Sequence, residues 1–216
     1  MKQWLRHIKQ EIYHTFKWYP VYDVIRTIHQ RFPLTGCRAL EAFAYTGAWQ
    51  ARSYSKYPSY LEAWEINPEC EQALHANLPG AVIRITNTFE EILRCDKTFD
   101  FINVDTHQGI FGLYCENFEF FPLLFRVAAD ECVVNLNVIP NASPYWRQKY
   151  GDLFNAEHLA RRKQFYGVED PANISLEQML SAYQRIAEKN GYTILWHYYK
   201  QRTLTYYLVL HLKKVV

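Results

Sequence analysis

The chain has 216 residues, 49% of them hydrophobic, which is enough for one packed core, so we predict a single domain over residues 1–216. Its formal net charge of +2 neither requires nor excludes a polyanionic partner, because nucleic-acid binders concentrate their basic residues locally. The five cysteines form no C-x-x-C pair and no apolar run is long enough to cross a bilayer, so we expect reduced thiols and a cytoplasmic protein without membrane contact.

Two amphipathic helices are predicted before the first strand. Apolar residues recur at spacings of three and four from Trp4 to Phe16, with polar and basic residues between them. The same period continues after Pro20 and ends at Pro33. We therefore place two N-terminal helices within residues 1–33.

Strands and helices alternate from Cys37 onwards. The predicted strands are "CRALEAFA", "SYLEAWEI", "AVIRIT", "TFDFINVD" and "ECVVNLNVI", and a helical stretch follows each of the first four. Apolar strands that alternate with helices indicate a parallel sheet covered on both faces. The helix after the fourth strand is predicted over "FEFFPLLFRVA", residues 118–128.

The C-terminal third departs from this alternation. Residues 140–174 follow neither pattern and are interpreted as an insertion or lid, and a helix with Ser175 as its N-cap comes next. The strands "YTILWHYYK" and "TLTYYLVLHLKK" are separated only by Gln201 and Arg202, which predicts an antiparallel hairpin. The predicted fold class is therefore α/β, with a mixed seven-stranded sheet whose last strand is reversed and with helices on both faces.

Acidic side chains mark the ends of three predicted strands. Glu41 precedes the turn at Gly47, Glu65 ends the second strand, and Asp105 ends the fourth. Ligands of open α/β sheets bind beyond the carboxyl ends of the strands, where an acid after the second strand can accept hydrogen bonds from ribose hydroxyls. We therefore predict a nucleoside-type cofactor here. Glu62 is predicted to face solvent instead.

Four segments resemble a known family. "ALEAFAYTGAW", "YLEAWEINPECEQALHANL", "ITNTFEEIL" and "FDFINVDTHQ" are similar to motifs I to IV of class I S-adenosylmethionine-dependent methyltransferases. The first motif is most similar to the RNA-modifying branch, and the final helix and hairpin match the reversed seventh strand of the family. The resemblance covers residues 37–138 and implies a Rossmann-like fold with S-adenosyl-L-methionine as cofactor.

The resemblance also implies a role for each matched residue of the cofactor site. Glu41 and the turn 44–47 would hold the methionine part of the cofactor, and Glu65 would hold its ribose hydroxyls. Ile66 would pack on the adenine, with Asn87 near the adenine amino group. The expected cofactor-binding residues are Glu41, Phe43, Ala44, Tyr45, Thr46, Gly47, Glu65, Ile66, Asn87 and Phe89, and no metal is expected.

The catalytic residues implied by the resemblance are Asp105, at the fourth motif, and His107 as a general base. Amino-methylating relatives carry Asp/Asn-Pro-Pro-aromatic here, whereas this chain has Asp105-Thr106-His107-Gln108. This difference argues against methylation of the adenine amino group. No cysteine follows the fifth strand, so methylation of cytosine C5 is not supported either.

The leading hypothesis for function is a methyltransferase that acts on RNA or DNA. Candidate phosphate contacts are the basic residues of the first predicted helix and five residues of the insertion, namely Arg147, Lys149, Arg161, Arg162 and Lys163. Two alternatives remain open. One is a small-molecule O- or N-methyltransferase with residues 140–174 as its cap, and the other is a non-catalytic binding protein with a decayed catalytic motif. The oligomeric state is left open.

Overall fold

The computed structural model describes residues 23–48, 50–105, 117–140, 152–201 and 206–215. The first predicted helix and His107 therefore lie outside the described residues. The strands are β1 (Arg38–Ala42), β2 (Tyr60–Glu65), β3 (Val82–Ile85), β4 (Phe99–Val104), β5 (Ala128–Val138), β6 (Tyr192–Gln201) and β7 (Tyr206–Lys214). The helices are α1 (23–31), α2 (Gln50–Tyr54), α3 (Glu71–Asn77), α4 (Thr88–Arg94), α5 (Asn117–Leu124), α6 (Asp152–Tyr166) and α7 (Leu176–Lys189).

The seven strands form one sheet in the order β3-β2-β1-β4-β5-β7-β6. β1 to β5 pair in parallel, whereas β7 runs antiparallel to both β5 and β6. The predicted mixed sheet with a reversed last strand is thus confirmed. Its register places Glu41 of β1 beside Asn103 of β4 and Asn103 beside Asn135 of β5, so one polar row crosses three central strands.

Helices cover both faces of the sheet, as predicted. Buried residues of α4, α5 and α7 pack on one face against alternate residues of the central strands, such as Leu40, Ile102 and Val134. Residues of α1, α2 and α3 pack on the other face, against Ala39, Phe101 and Val133. None of the helices in the described part of the chain has the length and apolar character needed to span a bilayer.

The predicted helix over residues 118–128 is too long. α5 ends at Leu124, where the Val127 N–H donates to the Leu124 carbonyl at 3.0 Å in a turn. Phe99 N–H then donates to the Val127 carbonyl at 2.8 Å, and Ala128 pairs with Phe99 at the start of β5. Hydrogen bonding to the sheet therefore replaces the last helical turn. At the other end of the sheet, Gln201 belongs to β6 rather than to a turn.

The predicted insertion contains the 15-residue helix α6, which its mixed polar and aromatic pattern does not indicate. Arg162, fully buried in this helix, donates from Nε to the Pro171 carbonyl at 2.8 Å and from Nη2 to the Pro140 carbonyl at 3.0 Å. Ile174 N–H donates to the same Pro140 carbonyl at 3.0 Å. The two ends of the segment 140–174 therefore meet at one backbone carbonyl at the end of β5.

The prediction that Glu62 faces solvent is wrong, because the side chain is fully buried. Its carboxylate accepts hydrogen bonds from the Tyr60 hydroxyl, from Trp64 Nε1 at 2.9 Å, from Lys97 Nζ at 2.9 Å and from Arg84 Nε. Burial alone would raise the pKa of Glu62, but these donors outweigh it and lower the pKa to about 2. Glu62 is therefore a buried anion between β2, β3 and the start of β4.

Candidate functional site

The turn after β1 has an unusual backbone. Phe43, Tyr45 and Gly47 have φ angles of 60°, 48° and 67°, a left-handed conformation that costs a residue with a side chain on the order of 1 kcal/mol. The Ala44 N–H donates to the Trp64 carbonyl, and the Gly47 N–H to the Ala44 carbonyl, both at 2.8 Å. Such strain is concentrated at binding sites, where the surrounding structure holds it in place.

Glu65, at the carboxyl end of β2, is tied directly to this turn. The Tyr45 N–H donates to Glu65 Oε2 at 2.6 Å, and the Asn67 N–H donates to Oε1 at 2.8 Å. The residue is only 8% exposed, so these two backbone donors hold the carboxylate in one orientation. Each oxygen has a second lone pair, which gives the group capacity for two further hydrogen bonds.

Gly47 allows the turn to lie directly on α3 and the residue that follows it. A Cβ atom at this position would come within 2.8 Å of Leu78 Cδ1 and 3.2 Å of Leu74 Cδ2. Asn77 also holds the turn, because its Nδ2 donates to the Thr46 carbonyl at 2.8 Å. The glycine is therefore required both by its φ angle and by the close approach of two leucine side chains.

We expect Gly47→Ala to lower the free energy of unfolding by about 2–4 kcal/mol, as the sum of the left-handed backbone cost and overpacking. The measurement is urea unfolding of the variant and the unmodified chain. Gly36→Ala is the matched control, since Gly36 has a φ of 83° but open space around the added Cβ. Equal losses in the two variants would contradict the close packing of the turn on Leu78.

Aromatic and apolar side chains line the same edge of the sheet. The ring of Phe43 contacts Phe89 edge-on with centroids 5.8 Å apart, and both rings contact the buried Phe120. Ile66, directly after β2, is 66% exposed, which leaves a large apolar side chain available to a ligand at this edge. Asn87 caps α4, with its Oδ1 accepting from the Phe89 N–H at 3.0 Å.

Glu41 of β1 lies in a buried polar network that spans four elements. The Tyr54 hydroxyl of α2 donates to its Oε2, and Asn103 Nδ2 donates to both of its oxygens at 2.9 Å. Asn135 Nδ2 continues the chain by donating to Asn103 Oδ1 at 2.6 Å. Burial raises the pKa of Glu41 to about 8, and the charge of Asp105 adds to this, whereas the donors Tyr54 and Asn103 oppose it.

Asp105 directly follows β4 and is partly exposed. Asn117, at the start of α5, holds the chain beside it, since its Nδ2 donates to the Val104 carbonyl at 3.0 Å and to the Asn137 carbonyl at 2.6 Å. The ends of β4 and β5 are thereby fixed side by side. Of the two predicted catalytic residues, the structure describes Asp105 at the expected strand end.

Sequence reasoning missed five residues of this region. Three of them, Asn103, Asn135 and Asn137, have a signal in the sequence, because an amide inside an apolar strand such as "FINVD" or "VVNLNV" is costly unless it has a partner. The partners themselves depend on which strands lie side by side. The residues are Tyr54, Asn103, Asn117, Asn135 and Asn137.

The expected phosphate contacts in the insertion are only partly available. Arg162 is buried and donates to two backbone carbonyls, so its assignment to a nucleic-acid face is wrong. Arg161 Nη1 pairs with Glu119 of α5 at 2.9 Å, and Lys163 forms a surface pair with Glu169. Lys163 keeps half of its side chain exposed. Arg147 and Lys149 lie outside the described residues.

The strand order, the reversed β7 and the turn at the end of β1 define the fold of class I S-adenosylmethionine-dependent methyltransferases. No protein-family model matches the chain, and no curated protein matches it in sequence. The likeness to known proteins is therefore one of structure.

Solved structures share this fold at low sequence identity. Magnesium protoporphyrin IX methyltransferase from Synechocystis PCC 6803, solved with bound S-adenosylhomocysteine, is 14% identical with a TM-score of 0.57, covering 93% of this chain and 84% of that one. A protein of Pyrococcus horikoshii provisionally named an RNA methyltransferase is 12% identical with a TM-score of 0.55, covering 90% and 81%. The Escherichia coli protein yhhF, provisionally named a methyltransferase, is 14% identical with a TM-score of 0.55, covering 91% and 87%.

Proposed function

We propose that the chain is an S-adenosylmethionine-dependent methyltransferase. The observation that carries the proposal is the carboxylate of Glu65, which the Tyr45 and Asn67 N–H groups orient at 2.6 and 2.8 Å beside the left-handed turn. A fixed, ionisable acceptor after the second strand of such a sheet suits the ribose hydroxyls of a nucleoside cofactor. Capacity on both oxygens for further hydrogen bonds fits that ligand.

The other residues of this edge fit the remaining parts of the cofactor. Ile66 and Phe89 would offer apolar surface to the adenine, and Asn87, at the α4 N-cap, would lie near its amino group. The turn 43–47 and Glu41 suit the methionine part, which carries a cationic ammonium group. When bound, S-adenosylmethionine supplies a methyl group already activated by the sulfonium. The protein then has to align the acceptor, exclude water and remove a proton where the acceptor requires it.

Asp105 is the candidate for contact with the acceptor. It directly follows β4, at the point where Asn117 joins the ends of β4 and β5. A carboxylate at this point can orient an acceptor N–H or O–H group by accepting its hydrogen bond. His107 remains the candidate general base, two residues further along the chain. Both assignments require a cofactor placed against the turn after β1.

A nucleic acid is the acceptor we favour. Two facts support it, namely the similarity of "AFAYTG" to the RNA-modifying branch and the shared fold with a protein provisionally named an RNA methyltransferase. The burial of Arg162 weakens the insertion as a phosphate-binding surface and so favours, as the second candidate, a small-molecule acceptor capped by residues 140–174. A non-catalytic binding protein is the third, and it would bind the cofactor without transferring its methyl group.

The test is calorimetric titration with S-adenosylmethionine and S-adenosylhomocysteine, followed by transfer of labelled methyl groups to RNA, to DNA and to a small-molecule extract. We expect binding at micromolar concentration and label in RNA or DNA, with affinity for that acceptor falling steeply as salt increases. Label in the small-molecule fraction would select the second candidate. Cofactor binding without transfer to any fraction would select the third, and failure to bind would overturn the proposal.

A further inference from the structure

Glu41 has surroundings that an ordinary strand carboxylate lacks. It is 3% exposed, and it accepts hydrogen bonds from the Tyr54 hydroxyl and from Asn103 Nδ2, the latter at 2.9 Å from each carboxylate oxygen. Donors of this kind stabilise the ionised form, whereas burial favours the neutral form. The protonation state of Glu41 therefore depends on a balance that one added positive charge can shift.

The charged groups around Glu41 come from different elements. Asp105, after β4, acts on it with a like charge, and within the described part of the chain its titratable hydrogen-bond partner is Tyr54 of α2. Burial raises the pKa of the Tyr54 hydroxyl, and the thiol of Cys37, before β1, lies close enough for its negative charge when ionised to raise that pKa further. In β2, the residue paired with Glu41 is the uncharged Ala63. No cation is found among these neighbours in the described residues. The cluster thus holds excess negative charge when Glu41 ionises.

We propose that Tyr54 is a positioning residue of the cofactor site, which acts through Glu41 by holding its carboxylate ionised for the cationic amino-acid end of the ligand. The inference rests on the proposed cofactor. In the free protein at neutral pH, the raised pKa of Glu41 favours its neutral form, in which the carboxyl group donates to Tyr54 and the contact described above is reversed, because a phenol oxygen both donates and accepts. When the ligand's ammonium group binds, the proton leaves to solvent and the Tyr54 hydroxyl turns to donate to the carboxylate.

The sign of the pH dependence follows from this exchange. The pKa of Glu41 in the free protein is about 8, so below that pH binding must release a proton and becomes stronger as the pH rises. The dissociation constant should fall about tenfold per pH unit. Measurements stay below about pH 7.5, because the ligand's own α-amino group titrates near pH 8.

The experiment measures binding of S-adenosylmethionine and S-adenosylhomocysteine by calorimetry between about pH 5.5 and 7.5. Titrations in two buffers of different ionisation enthalpy count the protons released, and we expect about one. 5′-Methylthioadenosine lacks the amino-acid end and should bind with constant affinity and release none. Tyr54→Phe should weaken binding of the two amino-acid ligands about tenfold or more over this range, without changing binding of 5′-methylthioadenosine.

Tyr192→Phe is the matched control, since it removes another buried hydroxyl, one that donates to the Ala128 carbonyl at 3.1 Å far from Glu41. It should leave the pH profile unchanged. Should Tyr54→Phe fail to fold, Glu41→Gln serves instead and should make affinity independent of pH. Binding of S-adenosylmethionine that is independent of pH in the unmodified protein overturns this inference alone. Absence of binding by all three ligands overturns the proposed function as well.

Discussion

Glu65→Ala is expected to weaken binding of S-adenosylmethionine by about 100-fold or more, because each hydrogen bond to a charged acceptor contributes ~1.5–3 kcal/mol and two ribose hydroxyls lose theirs. The change also frees the Tyr45 and Asn67 N–H groups that orient the turn. Calorimetric titration with the cofactor and its demethylated product measures the effect. Circular dichroism establishes that the variant remains folded.

Glu69→Ala is the control for this prediction. Glu69 is an exposed residue of the 3₁₀ turn Pro68–Cys70, close to Glu65 in the chain, and its removal changes the local charge by the same amount. The affinity of this variant for S-adenosylmethionine should stay within about twofold of that of the unmodified chain, since exposed charges contribute little to binding. An unchanged affinity in folded Glu65→Ala would show that the ribose end of the cofactor does not bind at β2.

Glu62→Ala is expected to lower the free energy of unfolding by about 2–4 kcal/mol, because it removes the buried carboxylate that four donors share, while water can still solvate Arg84 and Lys97, whose side chains are 40% and 28% exposed. Arg84 and Lys97 lose their common carboxylate, and the indole N–H of Trp64 loses its acceptor. Urea unfolding at neutral pH measures the loss. Glu90→Ala is the control, because Glu90 forms an exposed pair with Arg94 in α4, and about 0.5 kcal/mol or less should be lost.

The same cluster sets an acid limit on stability. The pKa of Glu62 is about 2 in the folded chain against an ordinary 4.5, so its stabilisation is complete above pH 4.5 and is lost as the pH falls towards 2. The unmodified chain should lose about 3 kcal/mol over this interval on account of Glu62. Glu62→Gln should lack this part of the dependence of unfolding free energy on pH. Parallel acid unfolding curves for the two proteins would contradict the assignment.

The sequence predicted the strand ends well because their evidence is local. An apolar run followed by an acid and a turn residue marks the carboxyl end of a buried strand, and parallel strands bring these ends to one edge. Glu65 could be identified from the sequence in this way, and the structure adds the two backbone donors that hold it. The left-handed φ angles of Phe43 and Tyr45 could not be predicted from the sequence, since neither residue type favours that conformation.

Polar residues inside strands were harder to interpret. Glu62 was predicted to face solvent because alternation with apolar residues indicates one solvated face, yet β2 is covered on both sides. Asn103 and Asn135 become partners of Glu41 only through the register of β1, β4 and β5, strands that are far apart in the chain. Helix α6 was missed because a buried arginine, rather than an apolar stripe, anchors it.

The hydrogen bonds to the Pro140 carbonyl allow the length of the segment 140–174 to change during evolution. Because Ile174 and Arg162 both donate to it, the segment between residues 140 and 174 begins after β5 and ends before α7 at the same carbonyl. The free-energy cost of loop closure grows only slowly with loop length, so residues can be added to or deleted from the segment while the strands stay in register. Under the proposed function, insertions there would change the surface offered to the acceptor over evolutionary time, while the candidate cofactor residues between Glu41 and Phe89 would stay unchanged.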